Sequence, residues 1–430
     1  MRKLTILTLA LLYVFSLAAV SAFAANGARG DNNHARMWPS ERMNQPLLET
    51  KPGTSSDNGS KADVSHMALG YLMTGISPGI LLGSTSYDLQ HNMRMARQVE
   101  VGADNRVHFI WTAAPFPFDA NSRAVQYSSY RNGVLDESYS LSGFLDKSPG
   151  RFCSIDVYAS RALVSYHYTN AGNNLTTSAL DIASAGGNFA TVDPRSDTVN
   201  CEGIIAGGGT TVAPYIWPVV AADQDGTGKL VVHIAASEGN TAGGSWSAIA
   251  YYRGVGASLT APMVPGLYGT CGMFVDSCEA TGYDIAASPY NNDVVIAYPK
   301  ARQANRENND LAYRLSTDMG ASWGPIVNVT KYDPKASTRC SGDLSVLFTS
   351  DGYFHILYVE NNYDSATSTD NEQCKLKQWS SQYPNNTSMV LDANEIDANC
   401  NTASFEYNVA KVTLTQCHST SLAKDLLYAV

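Results

Sequence analysis

Charge is scarce in this 430-residue sequence. Only 16% of the residues are Asp, Glu, Lys or Arg, and no basic cluster occurs. With a formal net charge of −10, that argues against nucleic acid and anionic lipid as partners, because both need concentrated Lys and Arg. Cys-x-x-Cys is missing, and no His stands near a Cys pair except His418 beside Cys417. Metal ligation therefore has little foothold, and neither metal nor cofactor is expected. "DQDG", Asp223–Gly226, is too short for a full calcium loop and reads as a hairpin turn. After residue 24 no apolar run is long enough to span a bilayer, so no membrane insertion is expected.

The first 24 residues do hold an apolar run, from Leu4 to about Val20, ending in "SAFA" with small residues at Ala22 and Ala24. This is the pattern of a secretory signal peptide, 1–24, and it predicts a secreted protein. All 8 cysteines follow it, and an even count in an exported chain favours disulfides. Sequence alone does not give the pairing; Cys340–Cys374 and Cys400–Cys417 are two expected local bridges. Residues 25–62 are polar and rich in Asn, Ser, Pro and Gly, as a disordered leader is; the "RGD" at Arg29–Asp31 reads as a chance tripeptide within it.

From residue 63 onward the chain repeats itself. Short apolar strands end at Trp111, Tyr166, Ala236, Tyr298 and Tyr358, at intervals of roughly 55 to 70 residues, and a sixth, "DLLYAV", ends at Val430. Each follows an inner strand ("CSIDVYA", "YDIAASP", "DLSVLFT") and a short Asn-, Asp- and Gly-rich turn, and precedes a longer polar loop. This predicts an all-β, six- or seven-bladed β-propeller of four-stranded blades over 63–430. It has five full blades and part of a sixth, as in a chain truncated at its C-terminus. The short turns define a plain face. The long loops gather on the opposite face, where function is expected.

"STDMGASWGP", Ser316–Pro325, follows the strand "DLAYRL" with the spacing S-x-D-x-G-x-x-W. Asp can accept backbone N–H groups two residues on, Gly takes a positive φ, and Trp covers the hairpin. The stretch resembles the Asp-box (BNR repeat) of sialidase-like propellers. The resemblance implies a structural role for Ser316, Asp318, Gly320 and Trp323, on the plain face. A second, degenerate copy is "DIASAGGNF" in the second repeat. Sialidases also carry an Arg-Ile-Pro motif, an arginine triad, a Tyr/Glu nucleophile pair and an acid Asp. None has a match in this sequence, so no catalytic residue carries over.

Several residues remain as functional candidates. Arg94 and Arg97 stand beside the first inner strand, where two guanidiniums could hold a carboxylate or sulfate. Asp156, Asp284 and Asp343 recur at inner strands. They could serve glycoside hydrolysis if two stood at the right separation, or simply bond neighbouring blades. Phe116, Phe118, Trp246 and Tyr363 lie in the long loops among amides and carboxylates, a set suited to sugar rings or to a protein partner. His108, His233 and His355 share one position in three strands and read as repeated packing residues. The expectation is a non-catalytic module recognising a glycan or protein ligand on its long-loop face. The alternative is a glycoside hydrolase of sialidase-like fold using the inner-strand carboxylates.

Overall fold

The computed structural model describes residues 82–87, 90, 96–115, 117–136, 139–141, 145, 149–170, 173–183, 187–191, 215–238, 246–258, 273–279, 282–301, 309–364, 369–392, 414–419 and 424–429. The chain divides into two compact units, Met1–Ser84 and Thr85–Val430. Of the first, only residues 82–84 are described, and they form no regular element. The signal peptide and polar leader therefore lie outside the described residues.

The second unit is built of antiparallel four-stranded sheets. Sheet one contains β1 (Val99–Val101), β2 (Val107–Ala113), β3 (Ala124–Arg131) and β4 (Val134–Leu135), with β5 (Tyr139–Ser140) also paired to β3. Sheet two contains β6 (Gly150–Tyr158), β7 (Arg161–Asn170), β8 (Asn173–Asp181) and β9 (Phe189–Thr191). Sheet three contains β10 (Tyr215–Gln224), β11 (Lys229–Glu238), β12 (Trp246–Ser258) and β13 (Met273–Glu279). Sheet four contains β14 (Asp284–Ala287), β15 (Val294–Ala301), β16 (Asn309–Ser316) and β17 (Val327–Asn328). Sheet five contains β18 (Thr338–Phe348), β19 (Phe354–Asp364), β20 (Thr369–Ser380) and β21 (Thr387–Asp392), and a further hairpin joins β22 (Leu414–Ser419) to β23 (Lys424–Ala429). One pair, Cys278 of β13 with Lys300 of β15, links sheets three and four.

Successive first strands lie against one another: β1 and β6, β6 and β10, β10 and β14, β14 and β18, β18 and β22. This architecture is consistent with the β-propeller expected from the repeats. The core is divided among the gaps between sheets. Ile110 and Tyr127 meet Ile155 and Val164. Leu163 and Leu180 meet Val220 and Ile234. Ile249 and Tyr251 meet Ile285 and Ile296, and Val295 and Leu311 meet Val346 and Ile356. A second strand in such a stack is covered on both faces. That is why "LVSY" and "VVIAY" run apolar rather than alternating, and Val294 through Tyr298 are all buried.

The short turns fall where the Asn/Asp/Gly clusters predict them. Asn105, Gly228 and Gly352 take positive φ in three of them. Between β6 and β7 both turn residues, Ala159 and Ser160, are left-handed (φ 47° and 64°), as a two-residue hairpin of the right twist requires.

No disulfide is formed among the described cysteine side chains. Cys153 is buried with a free thiol, pushed up to about 12 chiefly by that burial. The side chains of Cys374, Cys400 and Cys417 lie outside the described residues, and with them both local pairings.

Candidate functional site

Three first strands carry a bulge near their long-loop end. The register shifts between Arg151 and Ser154 in β6, between Ile216 and Val219 in β10, and between Cys340 and Leu344 in β18. In the first two the bulge holds a bulky aromatic residue at positive φ, Phe152 (52°) and Trp217 (54°). A left-handed residue of this size costs about 1–2 kcal/mol, so it persists only where neighbours hold it. They do: Phe152 N–H donates to Thr112 Oγ1 at 3.1 Å, and Trp217 N–H donates to His167 Nδ1 at 3.2 Å. Tyr283 Oη donates to the Trp217 carbonyl at 2.6 Å. Each bulge is thus pinned by an adjacent sheet, and its ring is re-aimed.

The re-aimed rings join others on the same face. Phe118 stacks on Tyr87 at 5.6 Å with the planes 12° apart. Tyr87 meets the Phe152 ring at 6.2 Å, Phe152 meets His167 at 5.1 Å, and His167 meets Trp217 edge-on at 6.3 Å. The Arg123 guanidinium lies 5.3 Å from the Tyr87 ring centre. Arg151 Nε is 2.6 Å from His167 Nε2. Arg151 Nε donates to His167 Nε2 there, so the imidazole stands between Arg151 and the Trp217 bulge. Burial, with Arg123 nearby, pushes Arg151 down to about 10.

Of the residues singled out from sequence, Phe118 belongs to this cluster, with 49% of its surface exposed. Arg97 does not. Its Nη2 donates to the Ile285 carbonyl of β14 at 3.0 Å, and its Nη1 lies 3.6 Å from Glu100 and 3.9 Å from Asp156. Burial opposes the Arg97 charge, but Asp156, Glu100 and Asp284 outweigh it and hold the guanidinium firmly protonated. Burial raises both Glu100 and Asp156 above the ordinary carboxyl range. Asp156 Oδ2 accepts from Ala222 N–H of β10 at 2.8 Å, and Oδ1 from Val157 N–H at 2.7 Å. Asp284 repeats this with Val346 of β18 (3.0 Å) and Ile285 (2.9 Å). Asp343 is buried five residues before the end of β18, nearer the long-loop end than Asp156, which is two residues from the end of β6. Arg94 and Phe116 lie outside the described residues. Trp246 and Tyr363 are placed on β12 and β19, with side chains outside the description. Tyr87, Arg123, Arg151, Phe152, His167 and Trp217 escaped sequence reading. Only a large aromatic at the head of each inner strand could have signalled two of them.

The Ser316–Trp323 hairpin lies at the short-turn side, where Met319 N–H donates to the Asn292 carbonyl (2.8 Å). Asp318 accepts from the Ser322 hydroxyl (2.5 Å), Ser322 N–H (2.8 Å) and the Ser316 hydroxyl (2.7 Å), which lower it to about 2. Ser316 Oγ in turn accepts from Gly320 N–H at 2.8 Å. The closed turn docks on sheet three. Trp323 meets Tyr251 edge-on at 4.7 Å, and Arg253 Nε donates to the Met319 carbonyl at 2.6 Å.

No family model matches the sequence, and no curated protein matches it. Solved structures do. An α-L-arabinanase of Penicillium chrysogenum complexed with arabinobiose aligns with TM-score 0.40 and 14% identity, over 65% of this chain and 74% of that one. The α-L-arabinofuranosidase of Fusarium graminearum in complex with arabinobiose aligns with TM-score 0.37 and 14% identity, over 56% and 65%. An endo-arabinase from Bacteroides thetaiotaomicron gives TM-score 0.33 and 13% identity, over 62% and 89%.

Proposed function

We propose that the protein is an exported propeller that recognises a glycan on its long-loop face, across Tyr87, Phe118, Arg151, His167 and Trp217. The observation that carries this reading is the unbroken run of rings from Phe118 to Trp217, flanked by the guanidiniums of Arg123 and Arg151. Ring faces take the C–H faces of sugars, and a guanidinium's remaining N–H groups take a hydroxyl or carboxylate oxygen. The two bulged aromatics, held at an energetic cost, support a site rather than plain packing. Six first strands follow one another in contact, which supports a ring of at least six blades, with β22–β23 in the sixth.

Glycoside hydrolysis is the second reading. Raised Glu100 and Asp156 beside Arg97 favour it, since one carboxyl can keep its proton while the other ionises. An array of diverse glycans, each spot scored for retained protein and for lost sugar mass, separates the two. Retention without mass loss is expected, weakened at least about tenfold in Phe118→Ala and Tyr87→Ala, as loss of one ring contact implies. Mass loss that disappears in Asp156→Asn replaces recognition with hydrolysis. Bare spots throughout leave a protein ligand as the better account.

A further inference from the structure

The short turns between first and second strands meet on one face. Asp104 N–H of sheet one donates to Ser160 Oγ of sheet two at 3.0 Å, and Tyr158 Oη donates to the Gly228 carbonyl of sheet three at 2.7 Å. Among these turns lies a cavity of about 390 Å³, walled by sheets two, three and four. Its lining includes Tyr158 and Ala159 where β6 ends, Asp223 and Asp225 where β10 ends, and Tyr290 and Asn292 between β14 and β15. These are the middle sheets of the array, with sheet one against sheet two and sheet five against sheet four. All three walls therefore come from described turns with a described sheet on either side.

Two carboxylates and two phenol rings mark this lining, and one of each is committed elsewhere. Asp225 Oδ1 accepts from Thr227 N–H (2.9 Å), the Thr227 hydroxyl (2.7 Å) and Lys229 N–H (2.9 Å), which closes its own turn. Tyr158 bonds Gly228, and the Arg161 guanidinium lies 5.1 Å from its ring centre. Asp223 differs. Its Oδ1 accepts from Gln224 N–H at 2.6 Å, but its Oδ2 is buried and accepts no hydrogen bond. Burial, with Asp156 and Asp225 nearby, pushes its carboxyl up to about 6 against the Gln224 N–H and Arg253. Arg253 gives its Nε to the Met319 carbonyl instead. A donor brought by a ligand would remove the cost of leaving such an oxygen unpaired. Tyr290 stands at the turn with 49% of its surface exposed.

We propose that this cavity binds a small organic cation, its ammonium group donating to Asp223 and its carbon frame lying on the Tyr290 ring. An ammonium brings both the donors and the positive charge that a carboxylate crowded by two others favours, and a tyrosine face attracts the same charge. A metal ion suits the lining less. Calcium asks for about six oxygens or more, Asp225 Oδ1 is already taken by three donors, and no metal-binding cluster of His, Cys, Asp and Glu occurs among the described residues. The volume falls within the range of small-molecule sites. Asp223 stands at the short-turn end of β10, and Trp217 of the aromatic run stands near its other end. The two sites are therefore separate, and neither reading rests on the other.

Nuclear magnetic resonance of the full chain tests this, with ethanolamine, putrescine and D-glucosamine as probes at about pH 7, where amines are protonated. Sodium chloride at about 0.15 M screens non-specific attraction. Ethylene glycol and D-glucose serve as neutral counterparts of the first and last probes. At least one amine is expected to shift the Asp223 carboxyl and Tyr290 ring signals, with a dissociation constant of about 1–10 mM, as suits a ligand this small. The neutral counterparts should shift neither. Asp223→Asn removes the charge at nearly constant shape and should weaken binding at least about tenfold, read at the Tyr290 ring. Tyr290→Ser, at an exposed turn position, should weaken it at least about threefold without disturbing the fold, read at Asp223. Phe118→Ala should change nothing. The proposal is overturned if no amine moves these signals at about 50 mM, well above the expected constant. It is overturned equally if the neutral counterparts move them as far, or if the affinity survives in both Asp223→Asn and Tyr290→Ser.

Discussion

Gly320 shows how closely single residues are fitted. Its φ is +76°, and a Cβ added there would stand 1.7 Å from Tyr251 Oη and 3.2 Å from His233 Nδ1. Both the backbone and the neighbouring sheet therefore demand glycine. Gly320→Ala is expected to cost about 3 kcal/mol, from left-handed strain plus overpacking, and to lower the urea midpoint without changing the slope. An unchanged midpoint would mean that the hairpin is not docked on Tyr251. Sequence reading reached Gly320 and Asp318 because the motif is local: Asp318 bonds within four residues of itself. Tyr251 and Arg253, which receive the hairpin from another sheet, carry no such local signal.

At the scale of elements, the histidine-bearing second strands set a pH dependence. Burial pushes His108 down to about 4 and His233 to about 3, from an ordinary 6.5. A folded-state value below the unfolded one means that the neutral ring's stabilisation is complete above about pH 6.5. It is lost as the pH falls through the folded values. Each ring then contributes acid lability on the order of 3 kcal/mol. The double variant His108→Gln, His233→Gln should be less stable at pH 7.5, but its urea midpoint should fall less steeply between pH 6.5 and 4. An unaltered slope would show that other groups govern acid unfolding. The strands themselves were legible, because burial on both faces writes a continuous apolar run. The bulges at Phe152 and Trp217 were not, because register is settled between strands.

Across the whole molecule, Arg97 ties distant sheets together. It stands just before β1, bonds the Ile285 carbonyl of sheet four, and sits among Glu100, Asp156 and Asp284. Arg97→Gln leaves these carboxyls without their cation. The expected loss is about 2–4 kcal/mol near pH 8, below that of a sealed ion pair because Arg97, Glu100 and Asp156 keep 22%, 28% and 16% of their side-chain surface exposed. Glu100 and Asp156 are already raised, and a raised carboxyl stabilises the fold most below its unfolded value and loses that contribution as pH rises. The deficit of the variant should therefore shrink at pH 5, as measured by denaturant unfolding at both pH values. An equal deficit at both would separate Arg97 from the carboxyl cluster.

The sequence alone determined what depends on neighbours along the chain. Those features are the recurring strands, the short Asn/Asp/Gly turns between them, and the self-bonded hairpin at Ser316–Trp323. Each follows from local backbone preference or from the period of burial. The tertiary structure alone decided which side chains meet. Asp156 and Asp284 received backbone N–H groups from the next sheet, and Arg97 was drawn to the opposite sheet rather than to a ligand. The run from Tyr87 to Trp217 draws residues about 130 positions apart onto one face, a closeness that bulges and sheet stacking create and no linear spacing encodes.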